Sequence, residues 1–84
     1  MAQFVITPKS TIQFGPGLDP IRPGRENERI VAVNVTGSIT PTTLFTRYSA
    51  RSILADQLNR AYGTTGFTPE NVIRYGGQFQ IRII

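Results

Sequence analysis

The chain has 84 residues, no cysteine and no histidine, with nine Lys/Arg against five Asp/Glu for a net charge of +4. Those absences exclude disulfide staples, the usual zinc ligands, the thiol nucleophile and the imidazole general base. A domain this small buries only roughly 60–65% of its unfolded surface, so stability has to come from its own packing or from a partner subunit.

Gln3–Thr7 (QFVIT) reads as a short strand ended by Pro8, and Thr11–Phe14 as a weaker one stopped at Gly15-Pro16-Gly17. From there to Glu28 the chain runs GPGLDPIRPGRENE, with three prolines, three glycines and five charges. Proline removes backbone donors and glycine loosens the chain, so this segment is expected as an extended loop, pinned at most by Leu18 and Ile21. Arg29–Thr36 (RIVAVNVT) is the clearest strand. Val31, Val33 and Val35 share one face, and β-branched side chains suit the pleat. Gly37-Ser38 marks a turn, and Ile39-Thr40-Pro41 leads into a further expected strand, Thr43–Tyr48.

Ser49 then stands where an N-cap would stand, ahead of a helix predicted over Ala50–Tyr62. Ala50, Ile53, Leu54, Leu58 and Ala61 recur at helical spacing on one side, with Arg51, Asp56, Asn59 and Arg60 on the other. Asp56 precedes Arg60 by four residues, the favourable order for a surface ion pair. Gly63 supplies a left-handed stop. Thr64–Pro69 reads as a loop, and Glu70–Tyr75 as a helical turn or short strand. Gly76-Gly77 reads as a tight turn into a last strand, Gln78–Ile84, in which Phe79, Ile81 and Ile83 alternate with Gln78, Gln80 and Arg82. The pattern predicts an α+β fold: a small three- to four-stranded, mostly antiparallel sheet with one helix packed on one face. Residues 29–84 would form the domain and residues 1–28 an extended N-terminal arm.

Catalysis finds little support. Asp19, Glu26 and Glu28, three of the five carboxylates, lie in the Pro/Gly-rich segment, and acid–base pairs need fixed geometry. Lys9 is the single lysine, in an unremarkable TPKST context. Gly15-Pro16-Gly17 has no helix after it and lacks an amide at the proline, so it does not make a phosphate loop. The chain reads as a binding protein and not an enzyme, with no metal, no catalytic residue and no cofactor of its own.

Eight of the nine cations are arginine, whose planar fork pairs with carboxylates and phosphates and stacks on aromatic rings. Phe45, Arg47 and Tyr48, with Arg51 following, and Arg74 with Tyr75, place cations beside aromatics, the residue types enriched at protein hot spots. The same ingredients suit a stacking platform for RNA or single-stranded DNA, which stands as the alternative partner. No run approaches the roughly 18 apolar residues of a membrane span, and MAQFVITPKS has no secretory pattern, so a cytoplasmic setting is expected.

Three stretches together resemble the small phycobilisome linker domain of the CpcD-like family: RIVAVNVTG, then LFTRYSARSILADQLNRA, then Arg74-Tyr75-Gly76-Gly77 followed by QFQIRII. About 55 of the 84 residues are covered. The family usually runs from helix to Gly-Gly almost directly, whereas this chain inserts YGTTGFTPENVI, and Arg47-Tyr48 stands where Val-Pro is common. The resemblance implies an assembly protein of the light-harvesting antenna, docked in the central opening of acidic phycobiliprotein trimers or hexamers, alongside other linkers. It would lie at the cytoplasmic or stromal face of the thylakoid. It would carry no chromophore and touch bilins only through those its partner subunits hold. Phe45, Arg47, Tyr48, Arg51, Arg74 and Tyr75 would be the contact residues. A small subunit of another large complex, such as a photosystem or phage particle, is not separable from this reading by sequence.

Overall fold

The computed structural model describes residues 2–84. Three strands, β1 (Ala2–Pro8), β2 (Arg29–Val33) and β3 (Phe79–Ile83), form an antiparallel sheet in the order β2-β1-β3. Between β2 and β3 the chain makes three helices: α1 (Thr43–Thr46), α2 (Tyr48–Tyr62) and α3 (Val72–Gly76). This is the expected small α+β fold with its antiparallel sheet.

Alternation sets the buried face. Phe4, Ile6 and Pro8 from β1, Val31 and Val33 from β2, and Phe79 from β3 are buried. They meet Leu44 of α1, Ala50, Leu54, Ala55 and Leu58 of α2, and Val72 of α3 in one core. Val31 and Val33 share the buried face as their spacing predicts, but the strand stops at Val33 instead of Thr36. Val35 lies beyond it, half-buried, while Ile30, of opposite parity, is 62% exposed. In β3 the alternation fades: Phe79 is buried, Ile81 half-buried and Ile83 exposed.

Within the expected arm of residues 1–28, the described residues, 2–28, are not separable from the domain. β1 lies between the other two strands, with Phe4 opposite both Val31 and Ile83, so the sheet has no centre without it. The Pro/Gly-rich segment is also closed rather than extended. Ile12 and Ile21 exchange backbone hydrogen bonds of 2.9 and 3.0 Å and both are buried. Gly24 N–H donates to the Pro8 carbonyl at 3.3 Å, ahead of a short 3-10 turn at Arg25–Asn27. Ile21 does pin the loop to the core, whereas Leu18 stays exposed.

The expected strand Thr43–Tyr48 is instead helix α1 and the start of α2. The cause is local. The Thr43 amide donates to the Thr40 hydroxyl at 3.2 Å, the Thr40 amide to the Thr43 hydroxyl at 2.8 Å, and Leu44 N–H to the Thr40 carbonyl at 2.9 Å. This is a reciprocal capping box in the turn leading into α1, with Pro41 directly after the capping threonine, where its missing N–H costs nothing. The same device recurs at Thr68-Pro69. Asn71 N–H donates to the Thr68 hydroxyl at 3.0 Å, Thr68 N–H to Asn71 Oδ1 at 2.8 Å, and Val72 N–H to the Thr68 carbonyl at 3.0 Å. That box starts α3, so the helical alternative for residues 70–75 is the one realised.

Helix α2 begins two residues earlier than expected, at Tyr48, and Ser49 is not its cap; Arg47, with extended backbone, precedes the first turn. Gly63 ends the helix as expected, at φ 65° and ψ 35°, with its own amide and that of Thr64 both on the Asn59 carbonyl. The Asp56–Arg60 pair forms at 3.2 Å, with both side chains largely exposed.

Candidate functional site

The α1–α2 junction orders the arginine–tyrosine surface. One residue of extended backbone, Arg47, separates the two helices. Both terminal nitrogens of Arg47 donate to the Thr36 carbonyl at 3.2 Å, which fastens the turn after β2 to the start of α2. Arg51 lies one helical turn after Tyr48, and its guanidinium carbon sits 5.3 Å from the centre of the Tyr48 ring, a cation–π stack. Arg51 Nη1 also reaches the Phe45 carbonyl at 3.4 Å, and its buried Nε–H has no hydrogen-bond partner. Tyr48 is 59% exposed, so the stack lies at the surface.

Phe45 is half-buried and packs against the core and against α3, where its ring abuts Gly76. Arg74 is exposed on α3, beside the exposed Ile73. Among the described residues the carboxylate ion pairs are Asp56–Arg60 and Glu28–Arg82, so Arg47, Arg51 and Arg74 carry positive charge without an acidic partner.

Tyr75 does not join this surface. Its ring meets Phe14 at 5.4 Å and Phe67 at 5.9 Å, both edge-on, and its hydroxyl donates to the Gln13 carbonyl at 3.2 Å. Edge-to-face aromatic packing of this kind is a core function. The sequence pairing of Arg74 with Tyr75 therefore splits, one outward and one inward.

A second group of residues gave no sequence signal. Tyr62, at the end of α2, donates its hydroxyl to the Asn27 carbonyl at 2.6 Å, and Arg29 stacks 5.2 Å from its ring centre. Arg29 also donates to the carbonyls of Ala61, Glu26 and Glu28. Burial pushes the Tyr62 phenol up to about 12; Arg29 opposes the rise and Glu28 adds to it. Two shallow adjoining clefts, of about 280 and 300 Å³, share Pro20, Ile21 and Tyr62 as lining. A neutral tyrosine spent on a carbonyl, beside an arginine spent on three, offers neither base nor nucleophile; the group is a clasp joining the 20–29 loop to α2. Residues 29 and 62 lie too far apart in the chain for any local pattern to reveal it.

The site and fold define a small α+β domain with a pre-stacked arginine–tyrosine surface at one helix junction. The chain matches no protein-family model, no curated protein and no solved structure. Among the described residues no helix is long and apolar enough to cross a membrane.

Proposed function

We propose that the chain is a non-enzymatic linker of the phycobilisome antenna, which caps or joins acidic phycobiliprotein discs through its α1–α2 junction. The observation that carries the docking surface is the Tyr48–Arg51 stack. An exposed ring held by a guanidinium loses little side-chain freedom on binding, and Tyr and Arg are the residue types that dominate interface energetics. Arg47 and Arg51, without acidic partners among the described residues, give that surface a positive field suited to an acidic disc. The disc itself is named by the resemblance, whose pattern is a strand ending in Gly, a second strand with an aromatic, a helix, Gly-Gly and an alternating strand. The chain departs from that pattern at the second strand, which is helix α1 here. In that role the chain sits at the cytoplasmic or stromal face of the thylakoid, beside other linkers, and reaches bilins only on its partner subunits.

The test is sedimentation of the chain with purified phycobiliprotein trimers and hexamers, read by whether it migrates with the coloured species. Co-migration that is lost in Tyr48→Ala and Arg51→Ala is expected. No association with any disc overturns the reading. Binding to single-stranded nucleic acid with a steep salt dependence would replace it with an RNA- or DNA-binding function.

A further inference from the structure

The outer edge of β3 is unpaired. Ile84 N–H donates to the Gln3 carbonyl, and Lys9 N–H to the Gln78 carbonyl, at the two ends of the β1–β3 ladder. In an antiparallel pair, hydrogen-bonded residues alternate along the strand, so the even-numbered residues of β3 face β1. The amides and carbonyls of Phe79, Ile81 and Ile83 therefore point the other way. β3 is the last strand in the sheet order, and among the described residues none of those outward groups has a hydrogen-bond partner.

Natural edges are usually blunted with proline, lysine, a bulge or a covering segment. Phe79–Ile83 (FQIRI) contains no proline and no lysine, and its pairing with β1 runs without a bulge. Its one charge, Arg82, lies on the face away from the core and is drawn toward Glu28 at 3.6 Å. Ile83, on the side that should be core, is 57% exposed.

We propose that two copies of the chain pair antiparallel through this edge, about Ile81, making one continuous six-stranded sheet. The register follows from the residues. Centred on Ile81, all three outward-facing residues of each copy find partners: Ile81 opposes its own equivalent, and Phe79 opposes Ile83 of the second copy. The exposed Ile83 then lies beside a phenylalanine already fixed in the second copy's core. On the opposite face, Gln80 opposes Arg82 of the second copy, a pair without like-charge repulsion that occurs twice. Centring on Arg82 instead would set arginine against arginine, which is destabilising across strands. Centring on Gln80 would leave Ile83 unpaired. The β2 edge competes poorly, since only Ile30 and Ala32 of that strand face outward.

Gln80 is exposed and opposes Thr7 of its own chain, whose hydroxyl donates to Glu28, so the folding stability of each Gln80 variant is measured beside its association. Sedimentation equilibrium of the full chain should show a monomer–dimer equilibrium. Gln80→Glu, facing Arg82 of the second copy, should tighten it, and Gln80→Arg should weaken it, each by roughly three- to tenfold because the pair occurs twice. Hydrogen exchange provides a second measurement: the amides of Phe79, Ile81 and Ile83 should slow as protein concentration rises. A chain that stays monomeric at all concentrations overturns the proposal. So does a dimer indifferent to both Gln80 variants, or exchange at those three amides that does not change with concentration.

Discussion

Gly76 and Phe45 touch so closely that a β-carbon at residue 76 would lie 2.7 Å from Cε1 of the phenyl ring and 3.0 Å from two of its neighbours. The contact holds α3 against α1. It also separates two glycines that look alike in sequence, since Gly77 has open space around it and an ordinary right-handed φ of −68°.

The two positions should respond to alanine with opposite signs. Gly76→Ala forces the half-buried ring to move and is expected to cost about 1–2 kcal/mol even after the better helix propensity of alanine. Gly77→Ala removes freedom only from the unfolded chain and should stabilise by about 0.4–1 kcal/mol. Urea denaturation midpoints measure both. Equal effects at the two positions would show that the Phe45 contact is not what restricts residue 76.

Asn59 should matter far more than its place on the polar side of α2 suggests. Its side chain imitates a strand partner: Nδ2–H donates to the Phe67 carbonyl and Phe67 N–H donates to Oδ1, both at 2.9 Å. Asn59→Ala removes both bonds and is expected to cost about 2 kcal/mol, while Asp56→Ala, which loses only an exposed ion pair with Arg60, should stay within about 0.5 kcal/mol. Thermal or chemical denaturation of the two variants gives the comparison.

Tyr62 predicts an alkaline limb in stability. The folded protein holds the phenol up to about 12, against 10.0 when unperturbed, so the folded state binds this proton more tightly than the unfolded chain. The contribution is complete below pH 10 and lost as pH rises through about 12. Tyr62→Phe should lack that component of the alkaline loss and, at neutral pH, be about 1 kcal/mol less stable for want of the bond to Asn27. Tyrosinate absorbance during a pH titration, followed together with denaturation midpoints at each pH, checks both statements.

Substitutions among the arginine–tyrosine residues should divide by role. Tyr48→Ala removes an exposed ring, so stability should change by less than about 0.5 kcal/mol while affinity for the docking partner falls by about 2 kcal/mol or more. Tyr75→Ala, which opens the packing around Phe14 and Phe67, should instead destabilise by about 2–4 kcal/mol. If Tyr48→Ala unfolds the chain or leaves binding intact, the junction is not the docking surface.

Period and punctuation made the helix over residues 50–62, its Gly63 stop, the valine face of β2 and the last strand legible in the sequence, because each depends on residues within one or two turns of one another. The Thr40-Pro41 and Thr68-Pro69 boxes were legible on the same grounds: threonine, proline at the next position and a polar reciprocating side chain three residues on. Read that way they would have replaced the expected strand at Thr43–Tyr48 with a helix.

Tertiary structure alone decided which side chains are spent and which are free. Tyr75 is turned into an aromatic cluster by Phe14 and Phe67, residues from other parts of the chain, while Tyr48, of the same chemistry, is left outside with Arg51 stacked on it. Tertiary structure also placed β1 at the centre of the sheet, as antiparallel strands choose neighbours by matching buried faces across long stretches of chain. Contacts set by distance in space leave no trace in local spacing, and the exposed pairing edge of β3 is such a consequence of where β1 came to lie.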